Sequence, residues 1–168
     1  MVIIHWGIEY ERVQNKDQDA LADFIFRNGA DAVIGSHPHV VQPILYHRIN
    51  GDSIREFPVV YSLGNFVSNQ RAQYKDGGIV AEMHLSKTGS CAVIDSLNYL
   101  PYWVWREDLN TGKSTFYVLP VSKYELNPQV FGLSENDVFR LKRFAGDTRD
   151  HLIDVRESGY YLKKEEPQ

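Results

Sequence analysis

The sequence is poor in several features that would assign a function directly. Its single cysteine in 168 residues excludes an intrachain disulfide framework. Its net charge of -4 leaves no basic surplus, so we expect no nucleic-acid partner. No apolar run approaches the ~20 residues of a membrane-spanning helix, and residues 1–4 are too short for the apolar region of a signal peptide. We therefore expect neither a membrane span nor an export signal in this chain.

Familiar catalytic motifs are also missing. The sequence contains no P-loop, dinucleotide fingerprint, G-x-S-x-G elbow or H-E-x-x-H segment. Cys91 lies in an apolar run without a neighbouring histidine, which favours a buried structural thiol over a nucleophile. The length fits one domain, or one domain with a small appendage.

Apolar runs predict a strand, a helix and a second strand in the first 35 residues. Residues 2–4 are continuously apolar, as in a central strand covered on both faces. A helix capped by Asn15 or Asp17 should follow and end before Gly29. Its predicted buried stripe consists of Leu21, Phe24, Ile25 and Asn28. Residues 31–34 form the next buried strand, and the short links favour a parallel crossover.

The rest of the chain predicts antiparallel strands and a closing helix. Strands at residues 40–48 and 53–57 flank Asn50-Gly51, a hairpin turn signal, and a separate strand follows Pro58 at residues 59–62. Further strands are expected at residues 79–86, 90–100 and 115–119. The aromatic patch at residues 99–105 is either packing or a platform for an extended ligand, and packing is favoured. Ser134 and Asp137 form a capping-box pattern before a helix reaching about residue 155.

Three of the six histidines lie in two short segments that each follow a predicted strand. His37 and His39 flank Pro38, which favours an extended conformation at His37, and Gly35 permits a tight turn at the strand end. Two imidazoles on a stiff loop can share a metal, and His5 becomes a third nitrogen ligand. The sequence thus indicates a metal site at the carboxyl edge of a sheet. The alternative is a rigid surface turn whose histidines bond to backbone.

Glu9 and Asn65 are further candidates near these histidines. Glu9 could orient an imidazole or carry a proton, or be a solvated loop acid. The Asn65 amide could bond a substrate oxygen or brace the histidine loop. Three neutral imidazoles can hold one zinc-like ion, but no anionic bridging ligand is evident. Trp6 lines a pocket or belongs to the core, and the remaining histidines (His47, His84 and His151) are expected to be structural or solvent-facing.

Three motifs in order resemble the bacterial CapA-type proteins of poly-γ-glutamate capsule synthesis, which share the calcineurin-like metallophosphoesterase fold. They are residues 5–10 (HWGIEY), 29–43 (GADAVIGSHPHVVQP) and 61–66 (YSLGNF). The resemblance covers residues 2–86 closely and extends loosely to 125. It implies an α/β fold that forms the carboxyl half of an α/β/β/α sandwich, a mixed sheet with an antiparallel extension. Residues 1–125 would form this domain and residues 126–168 a helical C-terminal extension.

The same resemblance implies a metal-dependent hydrolase ancestry. Divalent manganese, zinc or iron would be held by His5, His37 and His39, with His39, Glu9 and Asn65 as catalytic candidates. The first half of the family fold supplies an aspartate motif, an acidic bridging ligand and an Asn-His pair, which this chain does not carry. We therefore expect an incomplete two-metal site, inactive in this chain alone, and an exposed apolar surface that promotes self-association or pairing with the missing half.

Two function hypotheses follow from these features. The first is a CapA-like protein of capsule biosynthesis derived from a metal-dependent phosphoesterase, with the capsule polymer or its precursor as partner and the bacterial cell envelope as location of the full-length protein. The alternative is a non-catalytic fragment, or a polymer- or partner-binding module, whose metal ligands are vestigial.

Overall fold

The computed structural model describes residues 1–49, 56–109 and 111–158, except for the side chains of Thr88, Cys91 and Val130. Within these residues a mixed sheet, an antiparallel sheet and a helix near the carboxyl terminus confirm the α/β class. The predictions for the Cys91 thiol and the Asn50-Gly51 turn lie outside the described part. The elements are β1 (Val2–His5), α1 (Lys16–Arg27), β2 (Val33–Ser36), β3 (Ile44–Arg48), β4 (Glu56–Val60), β5 (Gly77–Thr88), β6 (Cys91–Asp108), β7 (Ser114–Pro120), α2 (Val121–Tyr124), a 3-10 turn (Pro128–Phe131) and α3 (Glu135–His151).

The four-stranded sheet has the order β1-β2-β4-β3. β1 precedes α1 in the chain and β2 follows it, and the two strands pair in parallel, as the strand-helix-strand pattern predicts. β3 and β4 are antiparallel neighbours, and β3 begins at Ile44 rather than at residue 40. The predicted break at Pro58 is wrong because β4 runs through it. The sheet tolerates Pro58 because β2 pairs with β4 only from Val59 onward, so no donor is needed on that side.

β1 is an edge strand, which corrects the prediction of a central strand. Among the described strands it pairs with β2 alone, and Ile3 is 75% exposed. A continuous apolar run predicts burial on both faces, but burial also requires a neighbouring layer, and the described residues leave Ile3 uncovered while Ile4 packs against the core. The free edge therefore presents unpaired backbone groups beside apolar side chains.

Helix α1 begins and ends as predicted but buries a different face. Asn15 caps it in a reciprocal capping box with Gln18, and Gly29 follows its end with a φ of 94°. Its buried residues are Gln18, Ala22 and Phe26, whereas Phe24 of the predicted stripe is 62% exposed. The prediction placed the buried stripe of α1 wrongly because it considered only apolar residues. Gln18 is polar, yet it is buried because hydrogen bonds satisfy its side chain. Its amide donates to Gln42 Oε1 at 3.0 Å.

The second sheet is antiparallel, with the order β5-β6-β7, and is the antiparallel part of the predicted fold; the bridge between Gly64 and Gly78 links it to the segment after β4. The whole aromatic patch lies within β6, where Tyr102, Trp103 and Val104 are buried. The patch therefore packs in the core, as the sequence favoured. Ser134 caps α3 through the predicted capping box. The helix ends at His151, before the predicted residue 155.

Two apolar clusters hold these layers together. The smaller one joins α1 to one face of the four-stranded sheet, and the larger one joins the two sheets and α3. Leu141 and Phe144 of α3 lie in the larger cluster together with Val60 of β4, so the helix is part of the same core. In the part of the chain that the structure describes, no helix combines the length and apolar character that a membrane crossing requires.

Candidate metal centre

The histidines meet at one edge of the four-stranded sheet. β1 ends at His5, β2 ends at Ser36, and His37 and His39 follow directly. Because β1 and β2 are parallel, their carboxyl ends lie at the same edge. Asn65 reaches this edge from the loop after β4, as its hydrogen bonds to His39 show.

Glu9, His37 and His39 form a group with metal-binding geometry. One ligand atom from each residue lies within 4.8 Å of the other two. His39 Nε2 lies 3.6 Å from Glu9 Oε1. The ring centroids of His5 and His37 are 4.3 Å apart, so His5 borders this group without belonging to it. Glu9 thus provides an anionic oxygen beside the imidazoles; the sequence indicated it as a catalytic candidate but not as a metal ligand.

The histidine loop is bent, which corrects the expectation that His37 is extended. His37 has a φ of 108° and His39 a φ of 60°, and Tyr10 opposite them has a φ of 70°. Such values are uncommon for residues with a side chain and cost free energy. The backbone N–H of Tyr10 donates to the Pro38 carbonyl at 2.7 Å and holds the two loops together. Backbone strain is therefore concentrated where the candidate ligands lie.

Asn65 braces His39 and fixes its tautomer. The Asn65 side chain is almost fully buried, and its Nδ2 donates to the carbonyls of His39 (3.2 Å) and Lys75 (2.9 Å) and to Gln70 Oε1 (3.2 Å). The amide oxygen consequently faces His39 Nδ1 at 2.8 Å, and that nitrogen must carry the proton. In the neutral imidazole Nε2 then has a free lone pair on the side of Glu9, as a metal ligand requires.

Gly35 permits a close approach rather than a turn. It lies inside β2, where the Trp6 indole donates to the Tyr61 carbonyl at 2.8 Å. A Cβ on Gly35 would lie 2.1 Å from that oxygen and 2.3 Å from Trp6 Nε1. The Trp6 and Tyr61 rings stack with centroids 5.6 Å apart, and Trp6 is core. The hydrogen bond and the ring stacking hold Trp6, the residue after His5, against the sheet.

A chain of polar side chains behind the site was not predicted from the sequence. Tyr61 donates its hydroxyl proton to Asp19 Oδ1 at 2.5 Å and lies 2.6 Å from His47 Nε2. His47 Nδ1 lies 2.7 Å from Asp23 Oδ1. Burial, followed by the hydrogen bond to Asp19, raises the pKa of Tyr61 well above its usual range. The i, i+4 spacing of the two aspartates on α1 was the one available signal, and it also fits a solvated helix face.

The donor set suits a borderline transition-metal ion. Two imidazole nitrogens and one carboxylate oxygen match the ligands that zinc, manganese and iron accept in proteins. Among residues 1–49, 56–109 and 111–158 it is the one group of at least three such donors. The described residues therefore contain one cluster that could hold a metal ion.

The chain is similar to known capsule synthesis proteins. Residues 1–70 match the family model "Bacterial capsule synthesis protein PGA_cap". The chain is 38% identical over 96 residues to "Capsule biosynthesis protein CapA" of Bacillus anthracis, which covers 56% of this chain and 21% of that protein. It is 40% identical over 86 residues to "PGA biosynthesis protein CapA" of Bacillus subtilis (strain 168), 51% of this chain and 21% of that one. The chain thus matches about a fifth of the length of these relatives, and the resemblance to CapA-type proteins is confirmed.

Proposed function

We propose that this chain carries part of a metal-dependent, hydrolase-type site used in capsule biosynthesis of the poly-γ-glutamate type, because residues 1–70 match the model of the bacterial capsule synthesis family. The observation that carries the proposal is the convergence of Glu9, His37 and His39 within 4.8 Å. His5 beside His37 would complete the donor set. A divalent ion held there would supply Lewis acidity to a phosphoester or similar bond.

The chain's own residues would prepare this site. The Asn65 side-chain amide holds His39 by its Nδ1, so that His39 Nε2 is directed away from this amide. Glu9 places a negative charge 3.6 Å from that nitrogen, where it can bind the ion or accept a proton. A two-metal centre needs further ligands on a second ion, and we propose that these come from polypeptide beyond the matched fifth of the relatives' length.

Metal titration of the purified chain tests the proposal. We expect uptake of one equivalent of zinc or manganese, measured by calorimetry and elemental analysis. The double variant His37→Ala/His39→Ala should bind metal at least ~100-fold more weakly, because loss of a direct ligand costs more than loss of an orienting partner. His84→Ala is the matched control, since His84 Nε2 also lies 3.6 Å from a carboxylate, that of Glu82, outside the group. Unchanged uptake by the double variant would refute the proposal.

The donor set for a single ion also favours a second candidate function. A chain with one ion and no second could bind polymer without cleaving it. The metal-loaded chain should then retain an acidic capsule polymer in a binding assay but show no hydrolysis of phosphate mono- or diesters. Hydrolysis that disappears with His39→Ala would exclude this alternative.

An apolar groove beside β1 supports association with further polypeptide. The groove has a cavity volume of about 670 Å³ and lies between the two sheets, next to the unpaired edge of β1. Met1 and Ile3 line it and are largely exposed. We propose that in the full-length protein, at the cell envelope, the remainder of the relatives' length covers it, and that the isolated chain pairs with a second copy. Sedimentation of the isolated chain as a monomer at micromolar concentration would exclude self-pairing.

A further inference from the structure

Lys75 is tied to the candidate metal centre at both ends. Its carbonyl accepts the Asn65 Nδ2 hydrogen bond at 2.9 Å, and the same Asn65 amide holds His39. Its ammonium nitrogen lies 3.3 Å from the centroid of the Tyr10 ring, whose centroid is 5.9 Å from that of His39. Backbone and side chain of Lys75 therefore both lead to His39 through one intervening residue.

The Lys75 ammonium lacks a counter-ion in the part of the chain that the structure describes. No carboxylate of residues 1–49, 56–109 or 111–158 forms an ion pair with it, and it lies over the Tyr10 ring. An ammonium carries three donors, which the face of an aromatic ring does not saturate. The ring does restrict the long side chain, so less conformational entropy is lost when a ligand binds.

Residues with a positive φ lie at and beside the pair of Lys75 and Tyr10. Tyr10 has a φ of 70° and Tyr74, next to Lys75, a φ of 69°. The Arg12 guanidinium carbon lies 4.1 Å from the centroid of the Tyr74 ring. A second cation thus stacks on an aromatic ring next to Lys75 in the chain. Conformations of this kind persist where the surrounding structure enforces them, commonly at ligand sites.

We infer that Lys75, held over Tyr10, is an anion-binding residue that receives a carboxylate or phosphate oxygen of the ligand that the histidine group engages. The inference rests on the proposed function for the identity of that ligand. It assigns the ligand a negatively charged group on the Tyr10 side of His39. Lys75 would act by charge and position, and its role in the cluster would be specificity for anionic ligands.

Calorimetric titration with two small anions tests this assignment. Inorganic phosphate and glutarate represent the two sources of oxyanion, and each is added to the metal-loaded and to the metal-free chain. Lys75→Gln should weaken binding of the preferred anion about tenfold, the loss of one charge-assisted hydrogen bond. Lys75→Arg should restore it to within about twofold, because the guanidinium keeps the charge and stacks on aromatic rings.

Lys123→Gln provides the matched control. The Lys123 ammonium also lies over a tyrosine ring, that of Tyr124 at 5.2 Å, but away from the histidine group. This variant should bind both anions as the wild type does. Metal affinity should stay unchanged in Lys123→Gln, and thermal melts should show that all three lysine variants are folded.

The outcomes separate this inference from the proposed function. If the chain binds metal but neither anion, or if Lys75→Gln binds the anion as the wild type does, the inference is wrong and the metal site stands. If the chain takes up no metal, the proposed function fails, whereas anion binding by the metal-free chain that is lost in Lys75→Gln would still support the assignment.

Discussion

Replacing Asn65 by aspartate exchanges one amide nitrogen for an oxygen of nearly the same size. This substitution should nevertheless strongly lower the free energy of unfolding. In the wild type Nδ2 donates to two backbone carbonyls, those of His39 and Lys75, and to the Gln70 side chain. An aspartate oxygen at this position would face three acceptors. Gln70 can turn its amide to donate, but the two carbonyls cannot.

The expected loss follows from these contacts. Each buried acceptor left without a donor costs ~1–3 kcal/mol, so two carbonyls cost about 2–6 kcal/mol. Repulsion from a carboxylate in a site that leaves Asn65 7% exposed adds to this. Since a domain of this size is stable by about 5–15 kcal/mol, Asn65→Asp should lose a large part of its free energy of unfolding. Asn65→Ala loses the same donors without the repulsion and should be the less destabilised of the two.

Urea unfolding followed by circular dichroism measures the difference. Asn69→Asp is the matched control, because Asn69 is exposed and its Oδ1 accepts from Arg106 Nη1 at 2.9 Å, a bond that a carboxylate keeps. Asn69→Asp should change the free energy of unfolding by less than ~0.5 kcal/mol. An Asn65→Asp variant within ~0.5 kcal/mol of the wild type, or one more stable than Asn65→Ala, would show that the amide does not brace the loop in this way.

Three further predictions concern pH, packing and metal. Because burial raises the pKa of Tyr61 in the folded chain, unfolding releases its proton above pH ~10, and this residue should lower stability there by up to about 1.4 kcal/mol per pH unit. Tyr61→Phe should reduce the slope by this contribution in urea titrations between pH 9 and 11, whereas the buried Tyr102, whose pKa is also raised, keeps its own, and an unchanged slope would contradict the cause. Gly35→Ala should cost about 2–3 kcal/mol in thermal unfolding, because its Cβ would clash with the Tyr61 carbonyl and the Trp6 indole, and a loss below ~0.5 kcal/mol would contradict these contacts. Zinc at 100 times its dissociation constant should stabilise the wild type by about 2.7 kcal/mol but leave His39→Ala nearly unchanged, and an equal gain in both would place the metal elsewhere.

The polar chain through Tyr61 connects several elements behind the candidate metal centre. Asp19 lies on α1, His47 on β3 and Tyr61 at the end of β4, so three elements meet at one hydroxyl. The carbonyl of the same tyrosine accepts from Trp6, the residue after His5. A helix and three strands are thus connected through one residue to the edge that carries the histidines.

Local signals in the sequence determined much of the fold. Capping boxes at Asn15 and Ser134 place the starts of α1 and α3, and Gly29 marks the end of α1, because these signals act through hydrogen bonds and backbone conformations within a few residues. Alternation in residues 79–86 identifies β5 for the same reason. The order and spacing of the histidine motifs were enough to predict the similarity to capsule synthesis proteins that residues 1–70 show.

The tertiary structure alone decided how these parts face one another. Apolar content predicted burial for Phe24 and Ile3, but burial depends on which layers cover a face, and Gln18 took the buried position on α1 through its hydrogen bonds. The carboxylate of Glu9 joins the imidazoles because two loops cross at Tyr10 and Pro38, a contact between residues far apart in the chain. Lys75 is near His39 for the same reason. The sequence by itself determined which side chains could bind a metal, and only the packing of strand ends and loops, which depends on long-range contacts, decided which of them meet.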